Sequence, residues 1–133
     1  MNLEQAIHQR WAASDALAAL LPAANVKTGR SFGDPVPYAT IARETSRTVF
    51  RTNAGDALDE VTLQINVWHD SYDAGLAVVE QVQAAFDRSG FTLAGGDTVV
   101  QMRRVADSTR QHEDGRWQWT VKFLVDVYLP LGV

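Results

Sequence analysis

The sequence predicts an α+β fold: one mixed, mainly antiparallel sheet with two main helices on one face and projecting hairpin loops. Three observations carry this prediction. Apolar residues recur at helical spacing in two segments, from Leu3 to Leu21 and from Ser71 to Arg88. Apolar and polar residues alternate, as half-buried strands do, in Pro37 to Arg43, Glu60 to Trp68 and Arg116 to Leu129. The resulting order, helix–strand–strand–helix–strand–strand, runs along a chain of 133 residues, which fits a single domain over residues 1–133.

The first helix opens at Asn2, with Gln5 three residues on, a capping-box pattern. Leu3, Ile7 and Trp11 follow at helical spacing, then Leu17, Leu20 and Leu21. Ser14-Asp15 is a second capping signal and predicts a break or kink; Pro22 stops the helix. Asn25 to Val36, with Gly29, Gly33 and Pro35, reads as a loop. In the strand Pro37 to Arg43, Tyr38, Thr40 and Ala42 face away from Ala39 and Ile41. The polar stretch Glu44 to Asp59 contains Arg47, Arg51 and the turn Asn53-Ala54-Gly55-Asp56. It reads either as a long connection, mobile in an isolated subunit, or as strand ends forming a protruding hairpin.

In Glu60 to Trp68, Val61, Leu63, Ile65 and Val67 share one face. Asp70, with Asp73 behind it, is predicted to cap a helix over Ser71 to Arg88, ended by Gly90 as a left-handed C-cap. Asp73, Glu80 and Asp87 form a narrow acidic stripe on that helix, and its apolar surface is broader than one sheet contact needs. Either the other helix packs there or a second subunit does. A right-handed crossover is expected if the flanking strands are parallel.

Phe91 to Leu93 is a short strand, turned by Ala94-Gly95-Gly96-Asp97 into Thr98 to Val105. The last strand is the strongest signal, with Trp117, Trp119, Val121, Phe123, Val125, Val127 and Leu129 on one face, begun by Asp114-Gly115 and ended by Pro130. Such a strand spans roughly 45 Å at ~3.3 Å per residue, against a radius of gyration of about 14 Å for a domain this size. It therefore crosses the domain and projects, with Ala106 to Asp114 as a charged hairpin tip. Trp117 and Trp119, at the projecting end, are expected to touch a neighbouring subunit or the hairpin base.

Composition excludes several classes. At 46% apolar and 21% charged residues the chain is not disordered as a whole. Its longest apolar run, Ala16 to Ala24, is about half a membrane span and contains Pro22, so no membrane segment is expected. The first residues lack the basic-then-apolar pattern of a signal peptide. With no cysteine there are no disulfides, thiolate nucleophiles or cysteine metal sites. A net charge of −4, from 12 basic and 16 acidic side chains, lacks the basic surplus of a chain that grips nucleic acid.

No phosphate-binding, dinucleotide, nucleophile-elbow or zinc-helix motif occurs, and no catalytic residue, cofactor or metal site is assigned. His8 reads as solvated, His69-Asp70 as a helix cap, and His112-Glu113-Asp114 as a solvated turn rather than a weak metal site. Charge groups remain. Arg43, Arg47 and Arg51 precede Asp56, Asp59 and Glu60; Arg103, Arg104, Arg110 and Arg116 accompany Asp107, Glu113 and Asp114. Mixed signs on projecting loops suit a ring or stack whose neighbours pair opposite charges, with ordinary solvated loops as the plain alternative. The candidate subunit or partner contacts are Arg43, Arg47, Arg51, Arg110, Trp117 and Trp119.

One ordered set of features resembles a known family. Pro35-Val36-Pro37-Tyr38-Ala39-Thr40-Ile41 precedes a polar excursion and Val61-Thr62-Leu63-Gln64-Ile65-Asn66-Val67-Trp68. Then come the helix with Val82 and Phe86, Leu93-Ala94-Gly95-Gly96, and Phe123-Leu124-Val125-Asp126-Val127-Tyr128. This pattern, with the apolar opening helix, resembles the tail-completion, or tail-terminator, proteins of long-tailed bacteriophages and related gene-transfer particles. The resemblance implies a structural protein of the virion neck, made in the host bacterial cytoplasm. It implies a homohexameric ring that caps the tail tube, stops its polymerisation and meets the head connector, while DNA passes the pore without specific binding. It carries over no catalytic residue and no cofactor. The alternatives are a small oligomeric ferredoxin-like ligand-binding or enzymatic domain, or another neck or tail-tube component.

Overall fold

The computed structural model describes residues 2–29 and 35–130. Asn2 caps α1 (Leu3–Ala13) by accepting from the Gln5 amide at 3.2 Å. Ser14 both ends α1 and caps α2 (Asp15–Leu20), so the second capping signal is a true break and the described residues hold three α-helices. The segment expected as a loop from Asn25 contains a strand: a 3-10 turn (Ala23–Asn25) leads into β1 (Val26–Thr28), whose three residues are too few to carry a period in the sequence. Gly33 and the rest of 30–34 lie outside the described residues.

The polar excursion is a hairpin. β2 runs from Tyr38 to Arg51 and β3 from Ala57 to His69, so strand covers most of the stretch that also read as a long connection. The turn is closed by Thr52 N–H donating to the Asp56 carbonyl at 2.9 Å. The same closure joins Leu93 to Asp97 and His112 to Arg116, each time with glycine next to last and at positive φ (Gly55 99°, Gly96 98°, Gly115 90°). That is a backbone glycine adopts without steric cost. β5 (Thr98–Gln111) likewise runs on through the predicted tip, and β6 spans Trp117–Leu129.

Helix α3 (Tyr72–Phe86) is capped by the Ser71 hydroxyl, not by Asp70, whose carboxylate instead lies 3.0 Å from His69. It does not end on a left-handed Gly90. Arg88 takes the positive φ (63°), its amide donates to the Met102 carbonyl at 2.6 Å, and Gly90 already lies in β4 (Ser89–Thr92). Gly90 is required for another reason: a Cβ there would stand 2.9 Å from the Val100 carbonyl oxygen.

The six strands form one mixed sheet in the order β1-β2-β3-β6-β5-β4, parallel only between β1 and β2. The strands flanking α3 are antiparallel in sense with two strands between them, so the expected right-handed crossover does not arise. Ala39 and Ile41, Val61 to Val67 and Trp119 to Val127 contribute their odd-numbered side chains to a core completed by Leu3, Ile7, Trp11, Leu17 and Leu21, and by Val78, Val79, Val82 and Phe86 of α3. α2 packs on α3, which accounts for the broad apolar surface of that helix within one chain.

A candidate assembly surface

Burial divides the long strands in two. Tyr38 to Ile41 of β2 are buried, whereas Glu44 to Arg51 are exposed throughout. In β5, Val99 and Met102 are buried and every residue from Arg103 to Gln111 is exposed. β1 covers β2 only from Ala39 to Ile41, and β4 covers β5 only from Thr98 to Met102. Among the described residues, the remaining halves of β2 and β5 have no strand neighbour on their outer edges. They lie on opposite edges of the sheet and at opposite ends of it.

Polar contacts hold these halves. Glu4 accepts from Arg43 Nε at 2.7 Å and from its Nη2 at 3.0 Å, a bidentate pair between α1 and β2. Burial pushes the Glu4 carboxyl up, but the Arg43 hydrogen bonds and charge outweigh it and hold it below the ordinary glutamate range. Arg47 meets Glu60 at 2.9 Å, and the Thr48 hydroxyl donates to Asp59 at 2.7 Å. On β5, Asp107 accepts from Arg104 at 2.6 Å and from Gln83 of α3 at 3.1 Å. Asp114 is pulled below the usual aspartate range by the Arg116 amide and guanidinium. His112 at the second tip sits 2.8 Å from Gln118, which donates to Asn66 on β3. His8 is partly buried and contacts the Ala23 carbonyl at 2.9 Å rather than standing in solvent. Among the described residues no three metal-ligating side chains converge.

The six candidate residues do not form one cluster. Arg43 and Arg47 are paired within the chain, while Arg51 and Arg110 make no ion pair among the described residues. Trp119 is not at a projecting end. It is 3% exposed and lies beneath α3, where Gly75 leaves room for its ring. Trp117 is half-buried, edge-on to Tyr72 at 5.0 Å.

Sequence reasoning missed an apolar surface. Phe50, Leu58 and Tyr128 lie opposite one another on adjacent strands, on the face that carries the even-numbered side chains of β3 and β6. Phe50 is 60% exposed, and burial together with the nearby Asp56 raises the Tyr128 hydroxyl pKa. The bulge residues Val49 and Val105 are exposed as well. The available signal was Val49-Phe50, an apolar pair inside an otherwise polar stretch.

The fold is shared with a chain of a virion particle. A chain in the "Virion of native gene transfer agent (GTA) particle" aligns with a TM-score of 0.73 over 95% of this chain and 94% of that one, at 18% identity. No curated protein matches the sequence. The model of the family described as tail completion protein gp17 matches residues 5–127. The chain belongs to that family, and so to the structural tail proteins of phage-type virions.

Proposed function

We propose that six copies of this chain close into a ring that caps the tail tube, ends its polymerisation and joins it to the head connector. One observation carries the reading beyond family membership. The two charged hairpin tips, at 52–56 and 112–115, lie at opposite ends of β3, beside Ala57 and His69 respectively. That separation is roughly 40 Å at ~3.3 Å per residue. A body with one contact surface at each end suits a joint between two different partners. In this reading the helices occupy one face of the sheet, and the hairpins reach the tube on one side and the connector on the other. Closed cyclic symmetry is the general way to satisfy head-to-tail contacts without an open filament. The balance of −4 suits a pore that DNA crosses without adhering.

An electron-microscopy map of an intact particle neck tests the proposal. It should show six copies of this chain between tube and connector, and particles lacking the chain should carry overlong or unjoined tails. Another copy number, or a position away from the end of the tube, would overturn it.

A further inference from the structure

Resting on the ring reading, we infer that neighbouring copies are joined into one continuous sheet, the exposed half of β2 in one copy pairing antiparallel with the exposed half of β5 in the next. The two halves have the same extent, lie on opposite edges, and run in opposite senses through β3 and β6. Rotation from copy to copy therefore presents each edge to its complement. The occupant is a second copy because one chain supplies both halves of the joint.

The register follows from which amides point outward. The Ile41 carbonyl accepts from Gly29, so Ile41 faces away from β3. Following the ladder past the bulge at Glu44, Arg43, Ser46 and Thr48 also face outward. The Met102 carbonyl accepts from Arg88, and the Arg104 amide donates to Asp87, so both residues face away from β6. Past the bulge at Val105, Asp107, Thr109 and Gln111 continue that set. Pairing outward residues with outward residues sets Asp107 opposite Thr48, Thr109 opposite Ser46, and Gln111 opposite Arg43.

Two consequences favour this register. It brings Ala106 against Phe50 and sets Val105 beside Val49, covering three of the exposed apolar side chains of the fold. It also shifts the ladder by about six residues across four strands, which at ~3.3 Å along and ~4.8 Å across tilts the strands by roughly 45°, the tilt at which sheets close into barrels. One like-charged pair results, Arg51 opposite Arg104, and Arg104 is held by Asp107 of its own chain at 2.6 Å.

The chain lacks cysteine, so a designed disulfide reports the seam cleanly. Directly opposed residues of a hydrogen-bonded pair stand about 5.5 Å apart at Cα, within disulfide reach. A double variant, Ser46→Cys with Thr109→Cys, is assembled into particles and oxidised. A non-reducing gel should show a ladder of covalent multimers ending at the ring, while each single variant stays monomeric. Adding Phe50→Asp should deplete the ladder without moving the melting temperature of the isolated chain. Rings of six without a cross-link, or cross-linking by Ser46→Cys with Asp107→Cys instead, would overturn the seam and leave the ring reading standing. A neck without rings of this chain would overturn both.

Discussion

Gly75 and Trp119 make the most exacting test of how the fold is packed. A Cβ at Gly75 would fall inside the Trp119 ring, meeting three of its carbons, so α3 lies flat on β6 only because that position has no side chain. Gly75→Ala must therefore displace either the helix or the indole, an overpacking cost of about 1–3 kcal/mol. Trp119→Ala empties a fully enclosed site and should cost about 3–5 kcal/mol. The two are not additive. Once the indole is gone, the new methyl enters vacant space, and alanine in a helix interior is favoured over glycine by about 0.8–1 kcal/mol. Gly75→Ala should thus destabilise the natural chain and stabilise the Trp119→Ala variant. Denaturant unfolding of the four proteins, with a transition shift of about 3–5 °C per kcal/mol as a thermal check, reads the coupling directly. Equal loss in both backgrounds would refute the close approach of α3 to β6.

Glu4 titrates below its ordinary range when folded, so its pairing with Arg43 stabilises the fold above the unfolded value of about 4.3 and is lost as pH falls through the folded pKa. Glu4→Gln should therefore lower the melting temperature at neutral pH, with the difference from the natural chain narrowing as pH falls through the folded Glu4 pKa. Arg47→Glu with Arg51→Glu places a carboxylate opposite Glu60, which costs about 0.2–1 kcal/mol, while leaving overlong or unjoined tails in particles. Normal tails and normal infectivity would show that these arginines only solvate the strand. Phe50→Ser, at a side chain 60% exposed, should change stability by no more than about 0.5 kcal/mol yet reduce assembly.

The sequence disclosed elements that bury one face and concealed those that bury none. The alternation of β6 is visible because Trp119 to Val127 line the core, and Asn2 and Ser14 are legible as caps because their chemistry is local. Thr45 to Arg51 and Ala106 to Gln111 are strand without a core face, so no period marks them, and they read equally as loops. Their conformation comes from neighbours: β3 alternates cleanly and imposes its ladder on β2, and β6 does the same for β5. Trp119 shows the converse error. Its place in the strand was legible, but its burial depends on a glycine 44 positions earlier (119 − 75), which spacing along the strand does not reveal.

The same lack of a core face bears on how such edges avoid indiscriminate pairing. A long, flat, apolar edge would pair with any other strand, so natural sheets blunt their edges with charge and irregularity. Here both exposed halves carry arginines, and each contains a bulge: at Val49, with a second at Glu44, in β2, and at Val105 in β5. Such features penalise a chance strand that lacks the matching irregularity. In the proposed ring a second copy brings one on its own complementary edge, so the bulges would oppose casual pairing without opposing that seam. Regularising β2 by deleting Val49 tests this directly. The shortened strand should keep its ladder with β3, because the bulge residue has no partner there, yet lose the seam register by one position. A deletion variant that folds, aggregates more readily at high concentration and fails to complete tails would show that the bulge encodes partner choice. One that completes tails as the natural chain does would show that the bulge is incidental to assembly.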